Sequence, residues 1–477
     1  MDLFRIFYKW AIAALFVTWL PLITGCDKLL DAGSPPNKVI TPQVYKSDSL
    51  AQAALIGIYF KMMENFGPHN GYMSRFPGFS CDELFRTNTI EQDQPFLTNT
   101  IPSNNLTIWF IWTNTYGYIY QCNDVVEGLT GPNSITPALR NQLLGEAYFL
   151  RAFSYFYLVN LYGDVPLVLT TNYSQSARIP RTPIDDVYKQ MIDDLKAAQD
   201  LLTNEYVTTP DYPTARVRVN RLAVKALMAR IYLYRGEWAN AAGSATEVIQ
   251  SDSYQLETNV QQSFRYDSKE AILQFMPVSN AYNTAEGSMF VPIVPNGRPA
   301  IILCDSILKY MDPLDKRKAW VRTVTVGGKQ YNSPYKYKLN TGTPREEYNM
   351  VLRLAEQYCI RAEARAMQGQ LPDAVNDLNT VRKRAGLPDL TNITTQTQAL
   401  VAVEQERRME LFAEWGHRWF DLKRWPAITP THPDEKRIDE VMNALRPATW
   451  KTTAVLWPIP NSEIIRNPSL TQNEGYN

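Results

Sequence analysis

Three carboxylates recur at intervals of four residues in the C-terminal part of the chain. Glu406, Glu410 and Glu414 share one face of a helix predicted over Glu404–Trp425, because residues four apart are neighbours on a helix. Such a row could bind a metal ion or act in acid–base chemistry. The same stretch is equally rich in arginine, which matches carboxylates with paired hydrogen bonds. We therefore predict a buried ion-pair network that fixes helix packing. Its predicted members are Glu406, Arg407, Arg408, Glu410, Glu414, Arg418 and Asp421.

The chain has few residues suited to other kinds of catalytic chemistry. Its 477 residues include only three histidines, His69, His417 and His432, and none has a neighbour that suggests a triad. No HExxH, GxSxG, GxGxxG or Walker A sequence occurs, and Gly327-Gly328-Lys329-Gln330 lacks the remaining residues of a phosphate loop. We predict no enzyme activity, no metal and no cofactor. A surface hydrolase with two carboxylates stays an alternative, since spacing cannot reveal such a pair.

The charge balance argues against another class of partner. The 48 Lys and Arg residues equal the 48 Asp and Glu residues, so the chain lacks the basic surplus that attracts nucleic acid. We predict no nucleic-acid partner. Aromatic residues make up 12% of the chain, and those rings must either fill a core or face a ligand.

The N-terminus has the pattern of a bacterial lipoprotein signal. Arg5 and Lys9 precede an apolar run over 10–23, which is shorter than the ~20 residues of a membrane-spanning helix. The run ends in Gly25-Cys26. We predict a signal peptide at 1–25, lipid attachment at Cys26 and a tether at 26–46. Acyl chains on Cys26 would anchor the protein without a spanning helix.

The four remaining cysteines do not form a metal or redox motif. Cys81, Cys122, Cys304 and Cys359 lie too far apart for a CxxC pair. We predict buried free thiols. Sequence does not define a disulfide pairing among them.

Helical periodicity and an internal repeat organise the rest of the chain. We predict a single domain over 47–477, mainly α, with a scaffold of repeat helices at about 139–250 and 350–425. Around Gly236 and Gly369, small or apolar residues occur at four matched offsets, as in helix–turn–helix units of tetratricopeptide repeats. The matched pairs are Ala229 and Ala362, Ala241 and Ala374, Ala245 and Leu378, and Val248 and Val381.

Two irregular segments interrupt this scaffold. Gly, Pro, Asn and Thr crowd the first, at about 67–108, which predicts long loops. The second, at about 251–348, has β-branched runs at Phe290–Val294 and Trp320–Val326, followed by Gly327-Gly328. It predicts an inserted lobe of loops and short β-hairpins. The tail, 452–477, is predicted to be extended.

Several stretches resemble one protein family. Glu406–Trp425 reads ERRMELFAEWGHRWFDLKRW and resembles the signature helix of the SusD/RagB family of Bacteroidota surface lipoproteins. Arg151–Leu167 resembles the first long repeat helix of that family, and Arg361–Leu387 the later one. Trp457–Tyr476 resembles the C-terminus of the family, with Glu474 in place of the usual proline.

This resemblance implies a function as well as a fold. It implies a cell-surface lipoprotein of the outer membrane that is bound to a SusC-like TonB-dependent β-barrel. As a lid, it would capture glycan oligomers and deliver them to that transporter without catalysis. Oligopeptides are the alternative ligand in such proteins. A repeat scaffold that binds only protein is a further alternative.

The resemblance places the ligand site in the irregular lobe. Sugar rings stack their apolar faces on exposed aromatic side chains, so rings on loops are the better candidates. Rings in the helical stretches Trp112–Tyr120 and Tyr148–Tyr157 are predicted to be core. The predicted glycan-binding residues are Tyr72, Asp82, Phe85, Phe96, Trp109, Tyr282, Phe290, Trp320 and Tyr331, with Arg86, Asn88 and Arg298 as polar neighbours.

Overall fold

Helices dominate the described part of the chain, as predicted. This computed structural model describes residues 41–208, 216–432 and 434–476. Tyr45–Asn477 forms one unit, and the short helix α1 (Thr41–Val44) lies outside it. The helices up to residue 250 are α2 (Asp48–Met63), α3 (Tyr72–Ser80), α4 (Gln94–Thr98), α5 (Leu106–Thr130), α6 (Pro137–Tyr162), α7 (Tyr173–Ser176), α8 (Ile184–Leu201), α9 (Arg221–Tyr234) and α10 (Trp238–Ile249).

The later helices complete the scaffold. They are α11 (Ala285–Phe290), α12 (Asp305–Tyr310), α13 (Leu354–Met367), α14 (Leu371–Arg384), α15 (Gln396–Leu411), α16 (His417–Arg424), α17 (Arg437–Leu445) and α18 (Asn461–Arg466). The start of α15 shows why these boundaries fall where they do. The Thr395 hydroxyl accepts a hydrogen bond from the Gln398 amide, and the Gln398 side chain accepts one from the Thr395 amide, which forms a capping box.

The two predicted repeat units are present and are neighbours in space. α9 and α10 form the first unit, and α13 and α14 form the second. Gly236 and Gly369 make the turns with φ values of 72° and 76°, a left-handed region that glycine enters without strain. All eight matched side chains are buried. α10 packs directly on α13, so the units that the lobe separates in sequence stack against each other.

Short strands give the lobe its regular structure. Each ladder has two antiparallel strands. The pairs are β1 (Leu84–Arg86) with β3 (Ile301–Leu303), β2 (Ala271–Phe275) with β6 (Asn349–Arg353), and β4 (Val321–Val326) with β5 (Lys329–Pro334). The predicted turn Gly327-Gly328 joins β4 to β5, and both glycines have positive φ, as in the tight turns of hairpins. The run Phe290–Val294 is not a strand, because Phe290 ends α11.

A continuous helix over Glu404–Trp425 is a wrong prediction. α15 ends at Leu411 and α16 begins at His417. Between them, Ala413, Trp415 and Gly416 have φ values of 55°, 48° and 73°, which a right-handed helix excludes. The break turns Trp415 into the aromatic core, where its Nε1 donates to the Met350 carbonyl at 2.6 Å.

The prediction of long loops over 67–108 is also partly wrong. α3 and α4 lie in this segment, although α3 contains Pro77 and Gly78. Phe76 and Phe79 on α3 are buried, so packing of its apolar side chains outweighs the low helix propensity of those two residues.

Candidate functional site

The β1–β3 ladder joins the two irregular segments of the chain. Phe85 pairs with Ile302 across the ladder, and Leu84 pairs with Leu303. Side chains alternate between faces along a strand, so burial of Leu84 and Leu303 turns Phe85 outward. The Phe85 side chain is 41% exposed. An aromatic ring from the first segment therefore lies on the surface beside residues of the second.

The chain beyond β1 continues along the second segment. The Thr87 amide donates to the Ala300 carbonyl at 3.0 Å, and the Thr87 hydroxyl donates to the Pro299 carbonyl at 2.6 Å. The antiparallel register thus brings exposed Arg298 beside the turn that contains exposed Asn88. We name Phe85, Asn88, Arg298 and Ile302 the ladder face.

A buried ion-pair cluster holds the ladder face from behind. Arg86 points inward, and its Nη1 lies 2.5 Å from Asp93 Oδ2. Arg75 on α3 also donates to Asp93, at 2.5 Å and 2.6 Å, and Asp93 is fully buried. Arg86 further donates to the Asn88 side chain at 3.2 Å. Because the position of Asn88 depends on this cluster, Arg86 supports the surface and does not face a ligand.

The loop between α11 and β3 adds apolar surface to this region. Ile293 and Val294 are 83% and 68% exposed, and neither contributes to the core. The Gly297 amide donates to the Val294 carbonyl at 2.8 Å, which closes a turn at the loop tip. Asn296 in this turn has a φ of 61°, a conformation that asparagine tolerates better than most residues.

Five of the predicted glycan-binding residues are buried, so they offer a ligand little surface. Phe96 packs against Phe76 with ring centroids 4.5 Å apart, and the Nε1 of buried Trp320 donates to the Val260 carbonyl at 2.8 Å. The Tyr282 ring packs against Phe66 in a tilted arrangement, with ring centroids 5.1 Å apart. The complete set of buried candidates is Asp82, Phe96, Tyr282, Phe290 and Trp320.

Three other candidates are half-buried. Tyr72 packs on Phe76 with its ring 5.0 Å away, and burial raises the pKa of its hydroxyl. Trp109 on α5 donates through Nε1 to Glu463 at 3.2 Å. Tyr331 lies on β5, where the Nζ atom of Lys329 is 5.6 Å from its ring centroid. Of the nine predicted residues, Phe85 therefore presents the most open aromatic ring.

The carboxylate row is engaged in ion pairs, but with partners that sequence reasoning missed. Glu406 lies 2.6 Å from Arg317, and Glu410 lies 3.0 Å from the same guanidinium. Arg353 joins Glu410 to Glu414 at 2.5 Å and 2.8 Å. Burial by itself would raise the pKa of Glu410, but Arg384, Arg353 and Arg317 hold that pKa well below its usual range.

The arginines of the same stretch pair with other acids. Arg407 lies 2.7 Å from Asp421, which also pairs with Arg424 at 2.8 Å. Arg408 and Arg418 both contact Asp82, at 2.7 Å and 2.8 Å. The three glutamates therefore pair with cations outside this stretch, whereas Arg407 and Asp421 pair within it. Spacing along the chain could not reveal the distant partners, which are Arg317, Arg353 on β6 and Arg384 on α14.

Among the described residues, His69 and the four cysteines are buried. Burial lowers the pKa of His69 to about 3, among the rings of Tyr118, Phe153 and Trp415. The four cysteines within the described ranges are buried and free, as predicted. Over those same ranges, no cluster of His, Cys, Asp and Glu could hold a metal ion, and no helix is long and apolar enough to cross a membrane. Cys26, the predicted lipid-attachment residue, lies outside the described residues.

Sequence reasoning also missed residues of the candidate site. Asp93 and Arg75 hold the ladder face, and Ile302 forms part of it. The alternation of Leu84, Phe85 and Arg86 is a strand pattern that could have indicated the outward position of Phe85. For Asp93, in a loop rich in polar residues, no sequence signal stands out.

Comparison with family models agrees with the fold. A model described as the SusD family matches residues 307–476. A second, described as starch-binding and associating with the outer membrane, matches residues 42–233. The SusD-like protein P38 of Formosa agariphila is 24% identical and covers 98% of this chain and 99% of its own length. The starch-binding protein SusD of Bacteroides thetaiotaomicron is 36% identical over 128 residues, 26% of this chain and 21% of its own length.

Solved structures show the same architecture. A SusD superfamily protein of Bacteroides vulgatus superposes with a TM-score of 0.76 at 19% identity, over 91% of this chain and 100% of that one. Surface glycan-binding protein A of Bacteroides uniformis superposes with a TM-score of 0.74 at 24% identity, over 90% of this chain and 99% of that one. With the stacked helix pairs, the inserted lobe and the two matching family models, this chain belongs to the SusD/RagB family of outer-membrane-associated proteins.

Proposed function

We propose that the protein is a lipid-anchored cell-surface protein that binds glycan oligomers at the ladder face and delivers them to a SusC-type TonB-dependent barrel. One observation carries the ligand site. The β1–β3 ladder leaves the ring of Phe85 exposed, and Asn88 and Arg298 are exposed farther along the same pair of strands. An aromatic platform next to polar side chains suits a sugar, whose apolar ring face is bordered by hydroxyl groups.

The rigidity of this face supports a binding role. Loop residues bind well when a scaffold fixes them, because less conformational entropy is lost on association. Asp93 receives hydrogen bonds from both Arg75 and Arg86, and Thr87 is bonded to the opposite strand. The ladder face is therefore organised before a ligand arrives.

Localisation and partner rest on the sequence and the relatives. The signal pattern that ends in Gly25-Cys26 supports lipid anchoring at Cys26. The family model that matches residues 42–233 describes association with the outer membrane. One relative is named a starch-binding protein, and one structural neighbour is named a surface glycan-binding protein. The domain boundaries proposed from sequence, with a signal at 1–25 and a tether at 26–46, are consistent with this arrangement.

Calorimetry would test the ligand class. The chain from residue 27 onward would be titrated with purified plant, fungal and host glycans and with a tryptic peptide mixture. We expect saturable binding to one glycan class and no release of reducing ends. Phe85→Ala should weaken that binding, whereas Tyr173→Ala, which removes an 81% exposed ring on α7, should not.

Other outcomes would change the proposal. Binding to peptides alone would replace the glycan with oligopeptides in the same role. Release of reducing ends would indicate a hydrolase. Affinity purification from native membranes in mild detergent should recover a TonB-dependent barrel together with the tagged protein. A preparation that lacks such a barrel, at full yield of the lipoprotein, would contradict the delivery role.

A further inference from the structure

A groove separate from the ladder face runs beside α15. It has a volume of about 470 Å³ and lies between α12, α15 and α17. Aliphatic side chains line much of it, among them Val401, Val441 and Leu445. Tyr310 is the single aromatic residue in its lining, and it is 57% exposed. Phe85, Asn88, Arg298 and Ile302 are not among the lining residues.

Charged residues along the wall of the groove alternate in sign. Arg408 and Arg418 share Asp82, Arg418 and Arg437 share Glu404, and Arg437 also pairs with Glu440 at 2.8 Å. Arg408 is the cation at the end of this series. Among the described residues its ion-pair partner is Asp82, which also receives two hydrogen bonds from Arg418, at 2.8 Å and 3.0 Å.

Arg408 lines the polar end of the groove and has one buried nitrogen without a hydrogen-bond partner. Its side chain is only 8% exposed, and its Nε has no hydrogen-bond partner. Its Nη2 donates to the Ser306 hydroxyl at 2.7 Å. A buried guanidinium whose carboxylate partner is shared with a second arginine favours an additional anionic group nearby.

The groove is long enough for an extended chain. A second cavity of about 300 Å³ shares Val401, Glu404 and Ile428 with the first. Together the two cavities follow α15 from Thr397 to Met409. At about 1.5 Å per helical residue this distance is about 18 Å, which equals roughly five residues of extended peptide.

We propose that this groove binds an extended apolar peptide segment whose free C-terminal carboxylate is received by Arg408. An aliphatic floor suits aliphatic side chains, whereas a sugar needs aromatic faces, and only Tyr310 supplies one here. Ser306 and exposed Gln405 border the groove and can bond peptide amides, which a fatty acid lacks. The site is a second one, and it does not depend on glycan binding at the ladder face.

Matched peptides would test this proposal on the full chain in detergent, with detergent micelles alone as the blank. The probes are acetyl-Ala-Leu-Val-Leu-Val with a free carboxylate, the same peptide as its C-terminal amide, dodecanoate and digalacturonic acid. We expect saturable binding of the free acid and at least tenfold weaker binding of the amide. Arg408→Gln should weaken binding of the free acid at least tenfold, so that the free acid and the amide bind with equal affinity.

A second variant keeps the test independent of the buried ion pairs. Leu445 is 39% exposed, so Leu445→Glu should fold and still weaken the peptide at least tenfold by placing a charge on the apolar floor. Asp193→Asn, at an exposed pair on α8, serves as the unaffected control. Any of four results would overturn the proposal. The first two are equal affinity for the free acid and the amide, and unchanged peptide binding by both groove variants. The others are tight binding of dodecanoate or digalacturonic acid in place of the peptide, and no binding of any probe.

Discussion

Replacing Glu410 by glutamine tests the ion-pair network as a determinant of stability. Glu410 is fully buried and contacts Arg317 at 3.0 Å, Arg353 at 2.5 Å and Arg384. Glutamine keeps the shape of the side chain but removes its charge. It also turns an amide donor toward groups that are themselves donors.

The three arginines lose unequal shares of their ion-pair partners in this variant. Arg317 keeps Asp315 and Glu406, and Arg353 keeps Glu414. Among the described residues, Arg384 keeps Glu270 as its ion-pair partner, whose carboxylate is 3.7 Å away and whose pKa is raised by burial. Breaking a buried pair on one side destabilises a protein by about 3–5 kcal/mol. With an unfolding entropy of about 0.9 kcal/mol/K for a unit of this size, we expect the melting temperature to fall by about 4 °C.

Urea unfolding and calorimetry would measure this change. The matched control is Asp193→Asn, because Lys189 and Asp193 pair at 2.9 Å with side chains that are 75% and 46% exposed. Such an exposed pair should contribute almost nothing. The reasoning would be refuted if Glu410→Gln unfolded at the same urea concentration as the parent and the control.

Three further predictions concern single side chains. Phe85 exposes about 80 Å² of the roughly 200 Å² surface of its side chain. Burying that area against a glycan would contribute about 2 kcal/mol. Phe85→Ala should therefore weaken glycan binding, measured by calorimetry, by up to about thirtyfold. Phe96→Ala should lower the free energy of unfolding by about 3–5 kcal/mol in urea and leave the glycan affinity of the folded protein unchanged. Burial raises the pKa of Glu83 to about 7. Above pH 4.5 the folded state therefore keeps a proton that the unfolded state releases. The free energy of unfolding should fall as the pH rises from 4.5 to 7. Glu83→Gln should flatten that decline in urea midpoints measured at pH 5 and pH 7.5, and an unchanged slope would contradict the assignment.

Local patterns in this chain predicted the scaffold well. The matched residues around Gly236 and Gly369 report a contact between consecutive helices, which spacing along the chain determines. Trp415 shows the limit of such reasoning. Its surroundings have a strongly helical composition, but packing against residues distant in sequence imposes a left-handed conformation there.

The candidate site was predicted less well, because exposure depends on contacts between distant segments. Phe85 and Phe96 are both aromatic residues in polar surroundings, and only the short alternation around Phe85 distinguishes them in the sequence. One faces solvent because Leu84 occupies the inner side of β1, whereas the other is enclosed by Phe76 and Trp457. Pairing of β1 with β3 across more than two hundred residues decides this difference.

Pairing of β2 with β6 has a consequence for how this protein can diversify. The two strands pair at the ends of the inserted segment between residues 276 and 348, and β6 leads directly into α13. Insertions within an excursion whose ends are already fixed raise the loop-closure free energy by only about 0.6 kcal/mol per doubling of length. Relatives can therefore exchange or lengthen the loops here while the stacked repeat helices keep their contacts. New ligand specificities can arise in this part of the chain with little effect on its folding.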